Sequence, residues 1–338
     1  MTGGGARQRT LTRRTLTRRT LTRRTSTRRT LAQRDARFGQ LLLAPTLLVV
    51  IVVVVLPILW TFVLAFQDLR VIDLRRKGFF GSFTVDNFAA VFTSPGFWAA
   101  LRTTLLFSVV GTVGSIGVGL AAALALRRGF RGRNLVRASM LLPYVAPVVA
   151  VTFVWQTMLN PQFGIVNAVG TSLLGWDDPV AFLSQRSAPV SLFGVEVQVP
   201  VALLTVMAFE IWRYFPFAFL FLTARIAALP ADVEEAAVVD GATVSQRFRY
   251  VVFPQLVPTL TLLAVLRFIF TFNEFDDIYL LTGGAAGTQV ASVRVYDLLT
   301  ARGDIGAASA QALVLAGVLV VLLAVYFRFV GRPTEADT

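Results

Sequence analysis

Six stretches of the chain, near residues 41–66, 99–126, 138–159, 200–226, 257–281 and 308–330, are each long and apolar enough to cross a bilayer as a helix. A hydrocarbon core of about 30 Å takes about 20 helical residues. The alternative for any one run is a buried core helix, but six within 338 residues point to an all-α membrane protein. Helices in lipid satisfy their own backbone hydrogen bonds, so Gly and Pro inside them carry meaning. Gly111, Gly114, Gly117 and Gly119 offer small-residue faces for close packing, and Pro143, Pro147 and Pro216 predict kinks in the third and fourth spans.

The Lys and Arg residues between the spans set orientation. With the N-terminus inside, twenty-two basic residues fall in the internal segments against seven outside, and the inner excess survives removal of the N-terminal tail. The expected topology is six spans, N-in and C-in, with the loop between spans four and five in the cytoplasm. Residues 1–37 form a basic tail, 38–98 the first span with an external segment, 99–330 a core of five spans, and 331–338 a cytoplasmic tail.

The formal charge of +13 is uneven: residues 1–37 hold twelve Arg against Asp35, leaving a nearly neutral body. The tail repeats Thr-Leu-Thr-Arg-Arg from Thr10 to Arg29 in four copies, with Ser26 replacing Leu in the last. A period of five builds neither a helical nor a strand face, so the tail reads as disordered. Attraction to anionic lipid, nonspecific nucleic-acid contact and no specific role all remain open for it. The chain contains no His and no Cys, which excludes His-based triads, thiolate nucleophiles and His/Cys zinc sites. The single lysine, Lys77, follows no Gly-rich run, so a phosphate-binding GxxxxGK[ST] loop is missing. No enzyme activity and no metal or nucleotide cofactor are expected in this chain.

Between the fourth and fifth spans, Pro230 opens a short helix with Asp232, Glu234 and Glu235 in its first turns, where acids complement the helix dipole. Val233, Ala236 and Ala237 form a narrow apolar stripe, and Gly241 supplies a left-handed stop. A second helix carries Phe248, Val251 and Val252 and is expected to end at Pro254. A short amphipathic helix projecting from a membrane domain suits docking in a partner's groove.

These residues resemble the cytoplasmic signature of permease subunits of binding-protein-dependent ABC importers. That signature is Glu-Ala-Ala, three residues, Gly, nine residues, Ile-x-Leu-Pro, matched here by Glu235, Ala236, Ala237, Gly241, Val251, Phe253 and Pro254. Asp240-Gly241-Ala242 is similar to the carbohydrate branch, as are Leu141 to Tyr144, Trp155, Asn160-Pro161, Asn167, Trp212-Arg213 and the run Phe272 to Gly284. Thr84 to Phe92 resembles the external segment ahead of the second span. The resemblance covers about residues 40–330 and implies half of a translocation pore in a bacterial cytoplasmic membrane. Its implied partners are a second permease, an ATPase dimer that holds ATP and Mg, an extracytoplasmic binding protein, and a sugar-like solute. Glu234, Glu235, Ala236, Ala237, Asp240, Gly241 and Pro254 would then couple the pore to the ATPase.

Ionisable groups inside the spans mark a cavity or a partner. Glu210 and Arg213 lie three apart, close enough on one helix to pair, and Arg267, Thr271, Glu274 and Ile278 fall on one stripe of the fifth span. Asn273, Glu274, Asp277, Tyr214, Tyr279 and Arg213 are candidates for a solute pathway, with carboxylates and amides meeting hydroxyls and aromatic rings stacking on sugar faces. The competing reading places Asp276 and Asp277 at the water interface and makes Glu210 and Arg213 a structural ion pair. Rival functions are a permease for glycerol phosphate or a polyol, a secondary transporter, and a membrane-tethered nucleic-acid binder.

Overall fold

The computed structural model describes residues 42–78, 80–192 and 195–329. The Arg-rich repeat and the segment 331–338 lie outside these residues. By internal contacts the chain divides into residues 1–63 and 64–338. The first unit contributes helix α1, Leu42–Ala65, which crosses the boundary by two residues. Its Ile51–Val55 stretch is a π-turn in which the Leu56 amide donates to the Ile51 carbonyl.

The second unit is helical, with α2 at Asp86–Thr93, α3 at Pro95–Ala125, α4 at Arg133–Val145, α5 at Val148–Met158 and α6 at Ile165–Leu173. Next come α7 at Val201–Ala227, α8 at Ala231–Val239, α9 at Val244–Phe272, α10 at Asp276–Thr282, α11 at Ala291–Thr300 and α12 at Ile305–Phe329. Among the described residues, α1, α3, α7, α9 and α12 are each long and apolar enough to cross a membrane. The pair α4 and α5 passes the same test only together and is bent by 98°. The third expected span is therefore not one straight helix but this bent pair, which has the geometry of either a broken span or a re-entrant loop. Pro147 is the cause: a residue before proline is pushed out of the helical region, and Ala146 sits at φ −66°, ψ 143°.

Among the described helices α3 and α7 approach each other over the most extensive seam, and glycine makes this approach fit. A Cβ on Gly119 would lie 2.7 Å from the Ala218 Cβ and 2.8 Å from the Phe219 nitrogen, and one on Gly111 would lie 2.9 Å from the Glu210 Cγ. Gly114 faces Ile211 in the same way, whereas Gly117 opens on free space and takes no part in this seam. Lipid tails are as apolar as leucine, so dense contact rather than water exclusion holds such helices together. Phe107, Val206, Phe209 and Ile278 are buried in one apolar cluster; Ala218, Leu222, Val252 and Leu256 belong to a second. Large residues such as Val113, Leu142 and Val320 stay exposed, as a lipid-facing surface requires.

Two corrections concern the fifth span. It was expected to run from Val257 to Leu281, but α9 stops at Phe272 and a separate helix, α10, starts at Asp276. Nor does Pro254 end the preceding helix, because α9 is continuous from Val244 through Pro254. A π-turn at Phe248–Val252 sends the Phe253 amide to the Phe248 carbonyl, five residues back. The wider turn moves aside the carbonyls that a proline ring would strike, and Pro254 has no N–H to satisfy. The Ile51–Val55 turn precedes Pro57 in the same manner.

Short antiparallel ribbons in the connections were not foreseen: Gln67–Asp68 pairs with Ser82–Phe83, and Ala188–Leu192 with Val195–Val199. Asn87 fastens the first, its amide nitrogen donating to the Ala65 and Gln67 carbonyls at 3.0 and 2.9 Å.

Candidate functional site

Two groups of residues stand near opposite ends of α9. The first begins with α8. Pro230 is extended before it, Asp232 and Glu234 sit in its first turn, and Gly241 follows at φ +77°, a left-handed position with no Cβ cost. The Ala242 amide closes the end on the Ala237 carbonyl at 2.9 Å. Thr243 then starts α9 with a reciprocal cap: its hydroxyl accepts from the Gln246 amide, and the Gln246 side chain accepts from the Thr243 amide. Glu235, Ala236, Val238 and Val239 are exposed, and Ala237 is half-buried. Glu234 is instead turned to the body of the protein, where it forms an ion pair with Arg127. Of the residues expected to face a partner, Glu234 alone is committed to an internal contact of this kind.

The second group lies where α9 breaks. Glu210 and Arg213 do not pair with each other. The Arg267 Nη2 donates to the Glu210 Oε1 at 2.5 Å, and Arg213 pairs with Asp277. Thr271 completes the first pair, accepting from Arg267 at 3.0 Å and donating to Glu210 at 2.9 Å. The Tyr214 hydroxyl donates to the Glu274 Oε2 at 3.2 Å, and the Arg267 guanidinium lies 4.2 Å from the centre of the Tyr214 ring. Such a stacked cation contributes up to about 2 kcal/mol when desolvated. Glu210 and Asp277 are fully buried, so Asp277 is not at a water interface.

A cavity of about 340 Å³ opens beside this network, lined by Tyr144, Tyr214, Phe217, Arg267, Asn273 and Glu274 among others. It gathers three of the expected candidates, Tyr214, Asn273 and Glu274. Arg213 and Asp277 do not line it, and Tyr279 stands in an aromatic trio with Phe275 and Tyr296 at 4.9 and 5.0 Å. Tyr144 was missed as a lining residue. Its signal was the Leu-Pro-Tyr sequence just ahead of Pro147, where the chain bends and the ring packs against Tyr214 and Phe217 of α7. Glu210, Glu274 and Asp277 can bring one carboxylate oxygen each within 4.8 Å of the others, a metal-like spacing. Two guanidiniums already pair with two of these acids, which makes the cluster an ion-pair network more than a cation cage.

Beyond the spans, Arg294 braces α11 against the start of α3 and against α12, donating to Ser94 Oγ at 2.8 Å and Gln311 Oε1 at 3.1 Å. Burial first, then the nearby Arg302, push this guanidinium's pKa below its ordinary value.

Residues 115–332, which include both groups, match the family described as binding-protein-dependent transport system inner membrane component. The chain is 34% identical over 283 residues to the inner membrane ABC transporter permease protein YcjO of Escherichia coli, covering 83% of this chain and 90% of the relative. It is 32% identical over 304 residues to the trehalose/maltose transport system permease protein MalF of Thermococcus litoralis, covering 88% and 95%. Its fold is similar to a chain of a bacterial alginate ABC transporter solved with an alginate pentasaccharide-bound periplasmic protein, at TM-score 0.74 and 23% identity, covering 90% and 98%.

Proposed function

The chain belongs to the binding-protein-dependent transport system inner membrane components, multi-pass transport subunits rather than enzymes; from that premise we propose that it is the permease of an ATP-driven importer of a sugar or related solute. In this reading it spans a bacterial cytoplasmic membrane six times, N-in and C-in, the bent α4 and α5 making the third span. A second permease completes the pore, an extracytoplasmic binding protein delivers the solute, and an ATPase dimer holding ATP and Mg docks on the 232–254 loop.

The observation that carries the proposal is the continuity of α9. One helix of 29 residues, about 43 Å long at 1.5 Å per residue, begins at the loop and ends at the cavity. Displacing α8 at one end would therefore be passed along this continuous helix, through its π-turn and Pro254, toward Asn273 and Glu274 just past the other. The exposed Glu235, Ala236 and Val239 present the docking face, with Gly241 and Asp240 fixing the turn and Pro254 lying inside the lever.

The cavity's chemistry favours a neutral polyhydroxyl solute. Glu274 and Asn273 accept and donate to hydroxyls, and Tyr144 and Tyr214 offer ring faces. Arg213 and Arg267 are both committed to carboxylates, so a phosphate would find no free cation there. The relatives named for trehalose and maltose support the same class.

Two measurements test the reading. Gly241→Val and Glu235→Arg should leave the protein in the membrane but separate ATP hydrolysis from uptake; normal uptake by both would refute the coupling role. Asn273→Ala with Glu274→Ala should raise the transport KM or broaden specificity. Unchanged KM and specificity would move the solute site to the partner permease.

A further inference from the structure

On the loop side of the second unit a cavity of about 510 Å³ lies between the end of α3, the coupling helix α8 and the start of α9. Its charged lining is Arg127, Arg128, Arg247 and Glu234, with Leu124 and Phe248 among the apolar walls. Three guanidiniums thus face one carboxylate, and that carboxylate is taken by Arg127. Arg128 and Arg247 have no acidic partner among the described residues. The Nε of Arg247 is buried without a hydrogen-bond acceptor, a cost that a bound anion would remove. The neighbouring Arg133 and Arg137 do not line the cavity and donate instead to the Leu126 carbonyl, at 2.8 and 3.2 Å.

We propose that this cavity binds a phosphate group, held by Arg128 and Arg247 and competing with Glu234 for Arg127. Guanidinium forks match phosphate oxygens in geometry and charge, and the greasy walls at Leu124 and Phe248 admit either a lipid headgroup or a soluble phosphate. Occupation draws Arg127 from Glu234 and loosens α8 from the end of α3. That regulatory consequence rests on the coupling reading above, but the site itself does not, and a direct binding assay separates the two.

The test uses the full chain in nanodiscs. In phosphatidylcholine discs, inorganic pyrophosphate is titrated by calorimetry; in discs containing phosphatidylglycerol, retained lipid is counted by native mass spectrometry. Saturable pyrophosphate binding identifies a soluble ligand and selective retention of phosphatidylglycerol a lipid, and either supports the site. The N-terminal arginines are common to every variant, so the difference between variants is the readout. Arg128→Gln with Arg247→Gln should weaken binding by about 10-fold or more, as loss of two charge-assisted contacts implies. Arg128→Lys with Arg247→Lys keeps the charge but not the fork and should bind between the wild type and the double Gln variant, which guards against a folding defect. Glu234→Gln releases Arg127 and should tighten binding. Equal binding by the wild type and the double Gln variant, or no tightening in Glu234→Gln, overturns the proposal.

Discussion

A buried ion pair is worth little as a pair and a great deal as a pair kept whole. Arg267 and Glu210 are 2% and 0% exposed, so removing either leaves an uncompensated charge in a low-dielectric interior. Glu210→Ala should therefore destabilise the protein by about 3–5 kcal/mol, while Glu210→Met with Arg267→Met should recover most of that loss. Thermal unfolding in detergent checks both; a double variant no better than the single would show that Thr271 and the Tyr214 ring, and not the pair, set the stability. The sequence placed Glu210 and Arg213 on one helix face, which is correct, since positions three apart are neighbours. It could not name their partners. Both side chains look toward α9 and α10, where Arg267 and Asp277 offer opposite charges from other helices. Helical period tells which way a residue points, and only packing decides what it meets.

At the scale of elements, local chemistry that depends on adjacent residues was legible and chemistry that depends on backbone registers was not. The left-handed Gly241, the acids of the first turn and the amphipathic loop were all expected, and the φ of +77° bears out the glycine. The break at Pro147 was foreseen as a kink, yet its 98° is a property of what surrounds it. Pro254 misled because the rule that proline ends a helix assumes α spacing throughout; the π-turn before it relaxes that assumption. The break after Phe272 carries neither Gly nor Pro at its joint, Asn273-Glu274-Phe275; its local marks are the weaker ones, Asn273 just past the helix and Asp276 and Asp277 in the first turn of the next. The cap at Thr243 offers a direct test at this scale. Thr243→Ala removes the hydroxyl acceptor for Gln246 and should cost about 1 kcal/mol locally. Amide exchange at residues 244–247 should then quicken about 5-fold. Exchange unchanged there would mean that packing of Phe248, and not the cap, holds the start of α9.

For the whole molecule, the count of apolar stretches pointed to a membrane protein directly, because six such runs in one chain make a soluble packing improbable. The expected orientation rests on charge: the N-terminal tail adds twelve Arg to a side that already carries Arg127, Arg128, Arg131, Arg133, Arg137, Arg225, Arg247 and Arg249, against seven basic residues in the connections at the other ends of the spans. The coupling proposal requires that sidedness, for an ATPase reaches α8 only from the cytoplasm. The absence of native cysteine makes the question simple to settle, since one introduced thiol is the only thiol. Ser245 lies in the first turn of α9 and Ser187 just ahead of the Ala188–Leu192 strand, and both are exposed. In intact spheroplasts a membrane-impermeant maleimide should label Ser187→Cys and spare Ser245→Cys, which becomes reactive only after permeabilisation. The opposite pattern would put the 232–254 loop outside the cell, away from any source of ATP, and the importer reading would fall with it.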